Sequence, residues 1–314
     1  QWKTVKFSLT DKELAYTGDR IISDHIAPAA YAIADTMDQA LAALVPSVPH
    51  YRTSASTGVT NVAEIVETRK VLFDNKVPLR DENNMFFMVG GAEEADLLAL
   101  EAFSQFQGAG AAGVGTQLTG HLGRRYGMEF FANQNRGTST FADTNATKTF
   151  AVDGAHAKGA TTLSIDGLTA ASESIKAGTV ITLTTGSLKY AVTADATASS
   201  NAATLSISPP LRTAVADDAT GSIDTVFDNV TVSENLAFHR NWAALAMAKL
   251  PDYTEMGGLG AQIASVQDPV TGLALRSRIY YVGASSKIEV ALDVLYGVKV
   301  LDADLGARYF ATHA

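Results

Sequence analysis

The chain has 314 residues, 46% of them hydrophobic, and a formal net charge of −9. That is ample apolar content for a packed core spread over two or three domains, and the acidic balance excludes a broad basic face that neutralises DNA phosphates. There is no cysteine, so disulfides and thiolate metal sites are excluded, and no apolar run approaches the length of a membrane helix.

Thr4–Leu9 (TVKFSL) alternates, with Val5, Phe7 and Leu9 on one face and Thr4, Lys6 and Ser8 on the other; this pattern predicts a strand. No hairpin partner precedes it, and a lone strand leaves a raw edge, so a partner strand is expected upstream of Gln1. A long helix is predicted over roughly Gly18 to Leu44, where Ile22, Ile26, Ile33, Met37, Ala40, Leu41 and Leu44 recur at helical spacing. Pro28 lies inside it and should bend it. A second helix is predicted over about Val62 to Asn75, a buried strand over Met85–Val89, and a third helix over Ala92 to Phe106 after the Gly90-Gly91 break.

The segment HLGRRYGMEFFANQN, His121 to Asn135, sets Arg124 and Arg125 between Gly123 and Gly127 in an otherwise acidic chain. The pair could grip a phosphate. The alternative, favoured by the net charge, is a glycine-shaped turn whose arginines make ion pairs or contacts between subunits.

From about Thr147 to Val226 the composition shifts to Ala, Thr and Ser, with neither Trp nor Met. Strand patterns recur in TFAVDG, TTLSIDG, TVITLTTG, LKYAVTA and ATLSIS, and Asp153-Gly154, Asp166-Gly167 and Thr185-Gly186 supply turns. This predicts a small β-domain inserted into a different parent, with a thin core and marginal stability alone. The parent resumes with a predicted helix from Ser233, as N-cap, through Leu250, on the apolar positions Leu236, Trp242, Leu245 and Met247. LALRSRIYYVG reads as a strand, and LDVLYGVKVLDADLGARYF closes the chain.

GAGAAG, Gly108 to Gly113, matches the dinucleotide fingerprint in letters. That motif needs a strand before it and a helix after it; here a helix precedes and a Gly/Thr-rich segment follows, so a flexible loop is expected. The six histidines, His25, His50, His121, His156, His239 and His313, show no metal-binding spacing. Asp302-Ala303-Asp304 is a cap or turn; it lacks the rest of a calcium loop. Asn145-Ala146-Thr147 and Asn229-Val230-Thr231 match the glycan acceptor pattern without a secretion signal. No acid, base and nucleophile assemble from this inventory, and neither a catalytic residue, a cofactor site nor a metal site is expected.

Three motifs stand in a fixed order around the inserted domain: Gly123 to Gly127 (GRRYG), Asn235 to His239 (NLAFH) and Asp293 to Leu301 (DVLYGVKVL). This succession resembles the major capsid proteins of tailed bacteriophages, and most closely the branch typified by the P-twenty-two coat protein. The resemblance spans most of residues 1–145 and 229–314; the inserted domain matches in position only. It implies an α+β chain with the HK-ninety-seven-like capsid fold. The expected plan is the second strand of an extended loop (1–17, with an N-terminal arm and first strand before Gln1), a spine helix and peripheral domain (18–90), and an axial domain in two parts (91–146 and 228–266). These are split by the β-insertion (147–227) and followed by C-terminal strands (267–314).

The resemblance further implies a non-enzymatic shell subunit in the virion, assembled in the host cytoplasm. Its copies form hexamers and pentamers of an icosahedral head around double-stranded DNA, with no sequence-specific binding and no membrane. A scaffolding protein, a portal protein at one vertex and a decoration protein are the partners this implies. Arg124, Arg125, Phe7 and Lys6 are the candidates for contacts between subunits. The nearest rival is an encapsulin-like nanocompartment shell; a nicotinamide-dependent enzyme using GAGAAG is more remote.

Overall fold

The computed structural model describes residues 1–17, 22–105, 110–136, 138–141, 149–168, 173–224, 226, 230–251, 261–269 and 272–312. β1 (Trp2–Thr10) leads into α1 (Asp11–Thr17), and a π turn (Ile22–Ile26) continues as α2 (Ala27–Ala42). The start of the helix predicted from Gly18 lies outside the described residues, and its end is closed by a 3-10 turn at Val45–Ser47 with Pro46 inside. Pro28 is the second residue of α2. A helix has no partner there for an amide hydrogen, so the irregular geometry falls just before it, as the π turn.

β2 (Tyr51–Thr57), α3 (Val62–Asp74) and β3 (Met85–Val89) follow. Asn61 caps α3 by accepting from the Ala63 amide at 2.9 Å. The helix expected over Ala92–Phe106 is instead α4 (Gly91–Ala99) and α5 (Glu101–Ser104), because Leu100 turns to extended geometry at ψ 132°. After it come α6 (Ala111–Thr119), β4 (Gly123–Arg125), β5 (Met128–Ala132) and β6 (Thr138–Phe141).

The Ala/Thr/Ser-rich stretch holds β7 (Thr149–Val152), β8 (Thr162–Asp166), β9 (Ser174–Ile175), β10 (Val180–Leu183), β11 (Leu188–Val192), β12 (Ala196–Thr197), β13 (Ala203–Ser208) and β14 (Thr220–Ile223). β15 (Val230–His239), β16 (Ala243–Met247), β17 (Ala261–Gln267), β18 (Ala274–Val282), β19 (Lys287–Val300) and β20 (Gly306–Thr312) complete an α+β chain.

The helix predicted from Ser233 to Leu250 is absent; β15, a 3-10 turn at Arg240–Trp242 and β16 stand in its place. β15 is hydrogen-bonded on both edges and buried along nearly its whole length. A strand covered on both faces loses its period of two, and the spacing of its apolar residues then imitates a helix.

Two units emerge, Gln1–Leu41 with Ala244–Lys299, and Ala42–Ala243 with Val300–Ala314. In the first, an antiparallel sheet runs β1-β19-β18-β17, with β16 also on β19. β1 pairs with β19 from Trp2 opposite Leu295 to Thr10 opposite Lys287. One edge of β1 is thus paired by a strand from the far end of the chain. Ala29, Ile33 and Met37 of α2 pack on Val5, Phe7, Leu292, Val294 and Tyr296.

In the second unit a seven-stranded sheet runs β2-β20-β15-β3-β5-β4, and β6 also pairs with β15. One side is an apolar layer in which Phe87 stacks on Phe130 at 4.9 Å and Phe103 meets Phe130 edge-on at 5.3 Å. Ile65, Leu72 and Leu97 of α3 and α4 close that layer.

The second unit also holds a closed antiparallel barrel, β10-β11-β13-β8-β7-β14. Gly154, Gly167 and Gly186 all take positive φ in the turns read from the sequence. The barrel's core is fuller than the composition suggested: Val152, Leu163, Ile165, Ile181, Tyr190, Val192 and Leu205 are fully buried in one cluster with ten others. Small residues dominate the count because they take the outward positions, and the inward positions are almost all Ile, Leu and Val.

Gly221 on β14 faces Phe150 on β7, and the Phe150 ring lies where a Cβ on Gly221 would be. Gly221→Ala is expected to destabilise the barrel by about 1–3 kcal/mol through overpacking. Amide exchange should show faster opening confined to the barrel; unchanged protection there would refute the packing assignment.

Candidate functional site

Arg125 pairs with Met128, so β4 and β5 are joined by the two residues Tyr126 and Gly127, at φ 52° and 74°. This is the primed turn that suits a twisted hairpin, and it needs Gly at one position. Arg124 is exposed and donates to Asn83 Oδ1 at 3.1 Å. Arg125 is half-buried, donates to the Arg124 carbonyl at 2.9 Å, and lies 6.0 Å above the Phe103 ring. The Arg69 guanidinium sits beside Gly127, where a Cβ would come within 3.2 Å of it. Among the described residues none of Arg69, Arg124 and Arg125 forms an ion pair. The ion pairs considered for this turn are therefore not made within the described chain.

The other two contact candidates separate. Lys6 is exposed on β1, whereas Phe7 is half-buried against the α2 core and stacks on His25 at 5.5 Å. Pro28 is remote in sequence and role, at the start of α2.

Three joints between strands are made by charged side chains, two of them buried. At the first, Glu234 of β15 receives Arg136 at 3.2 Å and lies 3.7 Å from Arg308 of β20; the three side chains are 1%, 8% and 0% exposed. Arg308 also donates to the Gly178 carbonyl of the barrel at 2.7 Å and covers the Phe310 ring at 4.9 Å. Burial pulls the Arg308 guanidinium down to about 10, against the opposing pull of Glu234, so it stays charged at neutral pH. Beside it, Tyr51 donates to Asp224 at 2.6 Å, and Lys189 reaches the same carboxylate at 3.1 Å. Burial, and then the Asp224 hydrogen bond, push the Tyr51 hydroxyl far up.

At the second joint Asp293 of β19, fully buried, accepts from Thr4 of β1 at 2.7 Å and from Arg276 Nη2 and Arg278 Nη2 of β18 at 2.8 and 2.9 Å. Burial alone would raise this carboxyl, but the bonds from Arg278, Thr4 and Arg276 outweigh it and hold it below the usual 3.8. At the third, Asp304 accepts from His50 at 2.9 Å and from Arg212 of the barrel. Burial opposes these two bonds, and the net direction for Asp304 is again downward. Asp302 caps the turn as read from the sequence, accepting from the Asp304 amide at 3.0 Å.

Asn235 is a neutral joint. Its Oδ1 accepts from the Gly90 amide at 2.8 Å and its Nδ2 donates to the Tyr309 carbonyl at 3.2 Å, tying the end of β3 to β20 across β15. His239, four residues on, accepts from the Asn241 amide at 3.3 Å and lies 3.3 Å from Asp81. His156 accepts from the Ser164 amide at 3.2 Å.

These carboxylates and imidazoles are engaged in holding strands. Among the described residues no group of three His, Cys, Asp or Glu could hold a metal ion. Gly108 and Ala109 of GAGAAG lie outside the described residues, as do Asn145, Asn229 and His313. The rest of that motif opens α6, so a helix does follow it, contrary to the expected loop, yet it is preceded by the helix α5 and not by a strand.

Sequence reasoning missed Arg136, Glu234 and Arg308. The available signal was a charge inside an otherwise apolar strand: Arg308 in GARYFAT and Glu234 in VTVSENLAFH. A charge so placed must find a partner when it is buried.

No protein-family model and no curated protein matches this chain. Among solved structures, it is similar to a chain of Mycobacterium phage Che8 at 11% identity, covering 98% of this chain and 70% of that one with a TM-score of 0.45. It is similar to a chain of the capsid structure of the cyanophage P-SCSP1u at 11% identity, covering 100% and 72%, TM-score 0.46. A chain of the mature capsid of bacteriophage PhiM1 matches at 9% identity, covering 100% and 72%, TM-score 0.46.

Proposed function

We infer that this chain is a shell-forming subunit, the major capsid protein of a tailed bacteriophage with the HK-ninety-seven-like fold. The observation that carries the reading joins sequence and geometry. The three motifs behind the resemblance are all framework joints: Gly123–Gly127 forms the β4–β5 hairpin, Asn235 ties β3 to β20, and Asp293 clamps β1 to β18 and β19. Their polar atoms are spent on rigidity, which a tile needs, and none is left convergent on a substrate.

On this reading function is collective. Copies close into hexamers and pentamers through head-to-tail contacts that leave no sticky edge. Each contact is weak, since exposed charge pairs contribute about 0–1 kcal/mol, and multivalency makes the shell durable. The charge of −9 keeps a packaged genome mobile, because a lining that neutralised phosphates would hold DNA tightly. A scaffolding protein, a portal and a decoration protein belong to the same reading. The encapsulin-like alternative predicts an enzyme cargo in place of DNA, so the contents of purified particles decide between them: nuclease-protected double-stranded DNA supports the phage reading, and a protein cargo without DNA rejects it.

The unpaired cations of the β4–β5 hairpin would meet acidic surface on a neighbouring copy. Arg124→Ala with Arg125→Ala is expected to leave the monomer folded and to lower the yield of closed particles about tenfold, measured by sedimentation. Wild-type yield would remove the hairpin from the contact.

A further inference from the structure

The outer side of α3 and the tip of the β4–β5 hairpin form one surface of the second unit. Val62, Val66, Arg69 and Phe73 recur every three or four residues, so they share a helix face. The buried Ile65, Thr68 and Leu72 lie on the opposite side. Val66 is 45% exposed and Phe73 is 69% exposed. Arg69 stands at the border of this stripe, with its Nη2, Cζ and Nε against Gly127 of the hairpin. Beside Gly127, Tyr126 is 38% exposed and its ring lies 6.4 Å from that of Phe103.

The cations of this surface differ from their neighbours on α3. Lys70 is paired with Asp74 at 3.0 Å, and Glu67 with Arg52. Arg69 makes neither a hydrogen bond nor an ion pair among the described residues, and its Nε is buried without an acceptor. Nε and Nη2 of Arg125 are buried in the same way. A guanidinium dry on one side and without an acceptor there costs free energy. Its charge is shared over the whole group, and the dry side strengthens any charge pairing made at the open side.

We propose that this surface receives carboxylates of a second copy of this chain, which pair with Arg69 and Arg125 while the same copy covers Val66, Phe73 and Tyr126. The inference rests on the self-assembling reading and names the face and the chemistry of one of its contacts. Charge supports it. The chain has 33 Asp and Glu against 24 Lys and Arg, and Glu82, Glu101, Asp153 and Asp218 are exposed and form no ion pair among the described residues. The planar fork of Arg matches a carboxylate with two parallel hydrogen bonds. Composition supports it too, because Arg with Tyr and Phe is the make-up of the energetic centre of a protein interface. A nucleic-acid backbone fits less well. The cations stand among exposed Val66 and Phe73 and not in a basic stripe, and a net charge of −9 repels a polyanion.

Cross-linking tests the contact. Isotope-labelled Arg69→Lys or Arg125→Lys chains are assembled with excess unlabelled wild type and treated with a carbodiimide. The reagent activates a touching carboxyl group, the introduced amine displaces the activated oxygen, an amide bond forms, and the carboxyl oxygen leaves in a urea. At least one variant should give a labelled peptide joined from the substituted position, through Asp or Glu, to an unlabelled peptide. Separately, Phe73→Ser and Arg69→Gln should keep the far-ultraviolet circular dichroism of wild type and assemble about tenfold less well. Particles that form with no joined peptide, joining only within one copy, or normal assembly by both substituted chains each overturns this contact and leaves the shell reading standing. Retention of duplex DNA by the isolated chain, lost in Arg69→Gln, gives the surface to phosphate and overturns it as well. Wild type that never assembles overturns both the contact and the shell reading.

Discussion

Glu234→Ala is expected to lower the stability of the second unit by about 3–5 kcal/mol, the usual cost of breaking a buried ion pair from one side. The carboxylate is the counter-charge for Arg308, which is fully buried, and for Arg136, which is 8% exposed. Removing it leaves two guanidiniums in a low-dielectric interior with no anion between them. Arg308 cannot escape by deprotonating near neutral pH, since burial brings it only to about 10. Trp242, 7% exposed in the second unit, reports the loss in a urea titration carried out in a Trp2→Phe background. Converting the pair together, Glu234→Leu with Arg308→Met, should recover part of the loss, because a well-packed apolar pair of similar volume replaces an ion pair at little cost. A single-variant loss under 1 kcal/mol would show that the joint is not the anchor described.

Asp293→Ala should cost the first unit about 3 kcal/mol by the same argument, somewhat reduced because Arg278 is 26% exposed. It also carries a pH signature. The folded pKa of Asp293 is lowered below 3.8, so its stabilisation is fully present above the unfolded value and is lost as pH falls through the folded one. Stability of the first unit should be level above about pH 5 and decline below about pH 4, and the alanine variant should show a shallower decline. Trp2 reports both, because Arg276 lies 5.9 Å from its ring. Equal acid sensitivity in the two proteins would remove Asp293 as the clamp of β1.

Local chemistry was legible wherever it decided the structure. The Asp-Gly and Thr-Gly turns, the helix α3 and the barrel strands follow from glycine conformation, helical periodicity and alternation. Long-range pairing was not legible. Nothing near β1 announces a partner 277 or more residues away, and β15, buried on both faces, carries no period of two to betray it as a strand. The barrel core was underestimated because composition averages inward and outward positions that differ sharply. Of the contact candidates, Arg124 and Lys6 could be recognised as surface residues by charge, but Phe7 belongs to a core made by strands distant in sequence. The Glu234 cluster escaped notice because its three members lie on segments about 100 and 70 residues apart in the chain.

Electron microscopy of the purified protein after assembly at neutral pH tests the central claim most directly. The account predicts closed shells of uniform size with six-fold and five-fold rings of subunits. A chain that remains a single particle at every concentration and salt, while converting a small molecule, would contradict it.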